Sequence, residues 1–228
     1  MKQEMLQHSY ITVKTDSGRL SYGGDQSWLG TEAERSFGCG LIAAADILRY
    51  LREKEGIGGK PEKDGREAHL SKETYLEELR ELSEVFRIRG ALGITGFGLA
   101  RRMRRIFRKE GLPYRVKWSI GRRHLERRLP EMLAKDIPVL LSVGPGFFHK
   151  KARLPLYRPD EQGGYKKTAS MRDHYVTVTG RREEKEGWMW RISSWGEEYY
   201  VNQEEYLRYV KENDNFLFSS ILYIRPAG

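Results

Sequence analysis

One cysteine occurs among the 228 residues, Cys39, within Phe37-Gly38-Cys39-Gly40 at the head of an apolar run with helical spacing. A thiol reacts as its thiolate, and a helix amino terminus sets partial positive charge and free N–H groups beside the sulfur. The position therefore predicts a lowered thiol pKa, and Gly38 and Gly40 let main-chain N–H groups approach a developing oxyanion. Downstream, Asp173-His174-Tyr175-Val176 opens a segment that alternates as a strand. A rigid element end is where a general-base imidazole belongs. Ser193-Ser194-Trp195-Gly196 follows one expected hairpin later, so a thiol, an imidazole and a hydroxyl pair occur in the order a cysteine nucleophile needs. The competing readings are a small buried hydrophobe for Cys39 and a structural histidine for His174. The other histidines, His8, His69, His124 and His149, form no ligand pair at zinc spacing, so no metal and no cofactor is expected.

The elements that would carry these groups follow from periodicity. Leu41, Ala44, Ala45, Leu48 and Leu51 recur at spacings of three and four, and Gly56, Gly58 and Gly59 stop that helix. Lys60 to Ala68 reads as a polar linker, and Ser71 as the N-cap of a helix through Tyr75, Leu79, Leu82 and Phe86. Gly90 to Gly98 interrupts the chain before a third helix that ends near Glu110; its Gly93-Ile94-Thr95-Gly96-Phe97-Gly98 fits no phosphate-loop spacing. An edge hairpin is expected over Tyr10 to Tyr22, a strand over Tyr114 to Trp118, a helix over His124 to Ala134 and a buried strand over Ile137 to Val143. Pro145 to Arg172 reads as a long functional or mobile loop. His174 to Thr179, Trp188 to Ser193, Tyr199 to Val201 and Leu217 to Ile224 complete a strand-rich half. The expected fold is α+β: one domain over residues 1–228, with a mainly helical lobe over 1–135 and a mainly antiparallel β lobe over 136–228.

Composition narrows the class. A lone cysteine and an amino terminus without a charged start and apolar stretch point to a reducing, cytoplasmic setting, and no apolar run approaches a membrane span. The net charge of +9 is concentrated in Arg101 to Arg128, where twelve Lys and Arg residues stand against Glu110 and Glu126. Solvated helix faces explain that stretch most simply; nucleic-acid binding is the alternative.

Gly38-Cys39-Gly40 before a helix, Asp173-His174 opening a strand and Ser193-Ser194-Trp195-Gly196 after the next strand together resemble the papain-like cysteine peptidases. The run Cys39-Gly40-Leu41-Ile42-Ala43-Ala44-Ala45 is similar to the helix start of bacterial bacteriocin-processing peptidases and of uncharacterised papain-like proteins. The resemblance implies a papain-like fold, with Cys39 as nucleophile and His174 as base. Trp195 would shield the hydrogen bond that orients the imidazole. Ser193 stands where that family has an orienting Asn, or Asp in the bacterial proteins, and would orient the imidazole less strongly. The family's oxyanion glutamine has no counterpart close before Cys39; Gln26 would serve if Leu29 to Ser36 forms an extra loop. Gly38, Trp195, Trp28, Phe147 and Phe148 are the expected substrate-binding residues, giving an apolar preference.

The expected function is cysteine-dependent hydrolysis of a peptide or small amide substrate through an acyl-enzyme. Two readings stand beside it, a papain-fold acyltransferase or transpeptidase and a catalytically impaired peptide-binding pseudo-peptidase. The oligomeric state is left open.

Overall fold

The computed structural model describes residues 2–57, 62–64, 67–86 and 94–228. Short strands β1 (Gln3–Met5), β2 (Thr12–Lys14) and β3 (Leu20–Tyr22) lead to a 3-10 turn at Gln26–Trp28. Helices α1 (Glu32–Phe37) and α2 (Cys39–Lys54) follow, then strands β4 (Glu62–Asp64) and β5 (Glu67–Ser71), then α3 (Lys72–Phe86) and α4 (Gly96–Glu110). The chain continues as β6 (Tyr114–Ser119), α5 (Arg122–Ala134), β7 (Val139–Val143), β8 (Leu154–Pro159) and β9 (Tyr165–Met171). It closes with β10 (His174–Glu184), β11 (Gly187–Ser194), β12 (Glu197–Asn202), α6 (Gln203–Asn213) and β13 (Ile221–Pro226). The class is α+β, as expected.

The main sheet runs β6-β13-β7-β10-β11-β12-β8-β9, with β1 added beside β10, and every pair in it is antiparallel. A smaller sheet, β3-β2-β5-β4, flanks the helices. Helix α2 packs across β10, and its residues Gly40 to Leu51 are all buried, because the spacing read from the sequence turns its apolar side chains toward both sheet and helices.

Local chemistry explains most boundaries. Thr31 and Glu34 form a reciprocal capping box at α1, Ser71 accepts from the Thr74 N–H at α3, and Thr95 accepts from the Gly98 N–H at α4. Gly111, at φ 68°, closes α4 in the left-handed conformation that a residue without a Cβ adopts freely. The expected stops at Gly58 and Gly59, and the break over Gly90 to Gly93, lie outside the described residues.

Three expectations change. The stretch read as a polar linker carries β4 and β5, paired antiparallel. The stretch read as a loop from Pro145 to Arg172 holds the β8–β9 hairpin, whose turn is tied by the Asp160 side chain accepting from the Gln162 and Gly164 N–H groups. Its Gly-Pro clusters mark turns, while Leu154, Leu156 and Met171 are the buried strand positions. Helix α6 went unread; Asn202 caps it, and Tyr206, Leu207 and Val210 are its buried stripe.

Candidate active site

Cys39 is the first residue of α2, with Gly38 as its N-cap. Gly38 packs against Leu29 and the Glu34 carbonyl, and Gly40 against the Tyr175 ring, so small residues on both sides let the helix start sit directly on β10. The face of α2 that carries Cys39 continues through Ile42, Ala43 and Asp46. These four residues share one small, half-open pocket of about 10 Å³ with Gly24, Gln26, His174, Tyr175, Val176, Thr177, Ser193, Ser194 and Trp195, and Cys39 itself is half-buried. That volume is on the order of one water molecule. Cys39 and His174, 135 positions apart in the chain, therefore line the same pocket.

His174 opens β10 opposite Val143 of β7 and is 8% exposed. Its turn is braced from behind. The Asp173 N–H and the Tyr209 hydroxyl both donate to the Gly144 carbonyl, and the Gly144 N–H donates to Ser219. The imidazole Nε2 meets the Ser194 hydroxyl at 2.9 Å, and the ring stacks on Trp195 at 4.7 Å with 22° between planes.

Trp195 and Gly196 form the two-residue turn between β11 and β12, both with positive φ (52° and 68°). A left-handed tryptophan costs about 1–2 kcal/mol. The surroundings over-determine it, because the Gly196 N–H donates to the Gly24 carbonyl and the Tyr22 N–H donates to the Gly196 carbonyl.

Ser193 does not take the orienting position. Its hydroxyl donates to the Tyr22 carbonyl at 2.7 Å, and Ser194 meets the imidazole instead. The cause is strand parity: Thr177 lies directly opposite Ser193, so those two share a face, and His174, an odd number of residues from Thr177, lies on the other face with Ser194.

Gln26 does reach the pocket, but by a helix rather than an extra loop: α1 folds back between it and Cys39, held by Arg35 donating to the Leu29 and Gly30 carbonyls. Its Nε2 donates to the Arg35 carbonyl at 2.8 Å, while Oε1 is buried without a partner among the described residues.

The remaining expected substrate-binding residues lie elsewhere. Trp28 packs edge-on against Tyr75 with Lys72 over its ring, and it lines a separate hollow with Leu76 and Leu79. Phe147 and Phe148 are 50% and 65% exposed and outside the cavity; Phe147 pairs with Phe218 at 5.0 Å.

The electrostatics reverse one expectation. Burial pushes the Cys39 thiol up to about 11, and the N–H groups of Tyr175 and Gly40 that face the sulfur offset this only in part. Desolvation at the sulfur outweighs the helix dipole, although Cys39 as a residue is only half-buried. Burial also pulls His174 down to about 4. At neutral pH the two groups are a thiol and an uncharged imidazole.

Sequence reasoning missed Asp46. It is 1% exposed, two helical turns below Cys39, and accepts from the Tyr75 hydroxyl at 2.6 Å, the Tyr10 hydroxyl at 2.9 Å and the Gly24 N–H. Burial raises its carboxyl to about 6 despite these donors. A Cβ on Gly23 would collide with both Ser193 and Asp46, so the Gly23-Gly24 loop ties the carboxylate to the strand end that carries Ser194. The signal was present: Asp46 is the one charged residue among the first ten of α2, seven positions after the cysteine.

Among the described residues, no group of three or more His, Cys, Asp or Glu is placed to hold a metal ion, and no helix is long and apolar enough to cross a membrane. No protein-family model matches the sequence, and no curated protein does.

Proposed function

We propose that this chain is a papain-like cysteine hydrolase of peptide or amide bonds. The observation that carries the reading is a single pocket lined by a thiol at a helix start and by an imidazole held between a hydroxyl and an indole. Ser194 on Nε2 leaves Nδ1 as the nitrogen for the thiol proton. Because His174 is uncharged at neutral pH, it takes that proton as the sulfur attacks the carbonyl, so no standing ion pair is required. The Cys39 N–H and the second Nε2–H of Gln26 are the donors for the oxyanion. The imidazolium then protonates the leaving amine, giving a thioester on Cys39 that water hydrolyses. An amine attacking that thioester in place of water would form a new amide and release the Cys39 thiol, which is the transferase outcome.

Access is the physical demand of this reading, since a cavity of about 10 Å³ holds no acyl group. The residues around the pocket mouth, Gln26 and Trp195 among them, must shift as the substrate binds.

The test is a peptidyl chloromethyl ketone followed by intact-mass measurement. One adduct on Cys39 is expected, absent in Cys39→Ser and slowed by roughly 10²–10⁴ in His174→Ala. Labelling that is equally fast without His174 would sink the enzyme reading and leave peptide binding without chemistry.

A further inference from the structure

The arginine-rich stretch of the sequence builds a groove at the far edge of the main sheet. A volume of about 510 Å³ there is lined by Arg104 and Arg108 of α4, Arg115 and Lys117 of β6 and Arg225 of β13, together with Leu112, Tyr114, Val116 and Tyr223. Elsewhere in the molecule arginines meet carboxylates: Arg52 with Glu110, Arg181 with Glu4, Arg191 with Glu198 and Arg158 with Glu197. None of the five groove cations forms an ion pair among the described residues. The nearby acids are engaged otherwise, Glu110 by Arg52, Glu55 by the Tyr114 hydroxyl and Glu131 by the Tyr223 hydroxyl and Lys135.

The arrangement also works against stability without a ligand. Arg115 lies directly opposite Arg225 in the β6–β13 register, and like charges in that position repel. Arg104 and Arg108 are an i,i+4 like-charge pair, which is also unfavourable. Both rows gain if a chain of negative charges lies between them.

We propose that this groove binds the phosphate backbone of a nucleic acid without reading its bases. Three features favour this ligand over an acidic peptide added as a strand. Guanidinium forks suit phosphate oxygens. The β6 edge already has its Val116 carbonyl occupied by Arg104 Nη2 at 3.1 Å, so a peptide would lose a backbone anchor. The cations come from a helix and two strands in rows, matching a ligand whose charge recurs along its length. Base-blindness follows from the aromatics in the lining: Tyr114 and Tyr223 are 8% and 7% exposed, and Lys117 and Arg128 lie over the Tyr223 ring, so neither offers a free stacking face.

The experiment is fluorescence anisotropy with labelled mixed-sequence single- and double-stranded DNA of about 20 nucleotides, from about 50 to 200 mM salt. Binding is expected at the low end, with affinity independent of sequence. Arg115→Gln with Lys117→Gln should weaken it by on the order of tenfold and reduce the salt slope by about two. Arg104→Gln with Arg108→Gln should do the same from α4. Arg101→Gln with Arg105→Gln, which removes equal charge from the same helix outside the groove, should have a clearly smaller effect. No binding at about 50 mM salt, equal loss in that control pair, or equal affinity for polyglutamate would each overturn the proposal. Cys39 labelling should be unchanged in all three double variants.

Discussion

The cavity under Cys39 and the groove between α4 and β6 treat polar groups in opposite ways. In the first, the hydroxyls of Tyr10, Tyr75, Ser193 and Ser194 find partners within the fold, Gln26 Oε1 and Thr177 Oγ1 have none among the described residues, and the cost of burial appears as displaced ionisation of Cys39, Asp46 and His174. In the second, cations face solvent with no carboxylate in the lining. A pocket filled largely by its own hydrogen bonds depends on motion to admit a ligand, whereas a row of unpaired cations depends on the ligand for its counter-charge.

The strongest way to break the contrast is to remove the proton acceptor. His174→Ala should lower electrophile labelling of Cys39 by roughly 10²–10⁴, measured by mass spectrometry, while DNA binding at the groove is unaffected. Next, Asp46→Ala would strand the Tyr10 and Tyr75 hydroxyls and the Gly24 N–H, and should lower unfolding free energy by about 3 kcal/mol in urea titration.

pH separates the two buried titratable groups. His174 is lowered from 6.5 to about 4, so its contribution to stability is full above 6.5 and is lost as pH falls through about 4. Asp46 is raised from 3.8 to about 6, so its contribution is full below 3.8 and is lost as pH rises through about 6. The slopes oppose each other between pH 4 and 6. Urea titrations at several pH values should show His174→Gln removing the first slope and Asp46→Asn the second. Trp195→Gly relieves the left-handed backbone and hydrates the imidazole, so the His174 pKa should rise toward its ordinary value in an NMR titration.

The smallest effect belongs to the groove. Arg115→Glu opposite Arg225 turns repulsion into attraction and should stabilise the fold by roughly 0.5 kcal/mol at low salt, read from thermal unfolding.

Helices α2, α3 and α4 were legible because each keeps an apolar stripe at a single period and carries its own stop or cap: Gly56, Ser71, Gly111. Strands β8 and β9 were not, because Pro155 and Pro159 within β8 and the glycines at the turn after it mask a stretch whose buried residues are few. At the site, Cys39, His174 and Trp195 could be picked out by type and order. Ser194 could not, since choosing between neighbouring serines requires the β10–β11 register, which no local pattern contains. Asp46 was visible as the one charged residue among the first ten of α2, but only the Gly23-Gly24 loop and the two tyrosines give it partners.

From the sequence alone came the thiol at a helix start, the imidazole at a strand start, the indole beside the serines and the density of arginine from 101 to 128. Tertiary structure decided which serine meets the imidazole, that burial raises the thiol rather than the helix start lowering it, that Gln26 lines the same pocket as Cys39, and which arginines are left without acids. Residue type and spacing are local properties. Strand register, desolvation and charge pairing are sums over neighbours distant in the chain, and only the folded arrangement brings those neighbours together.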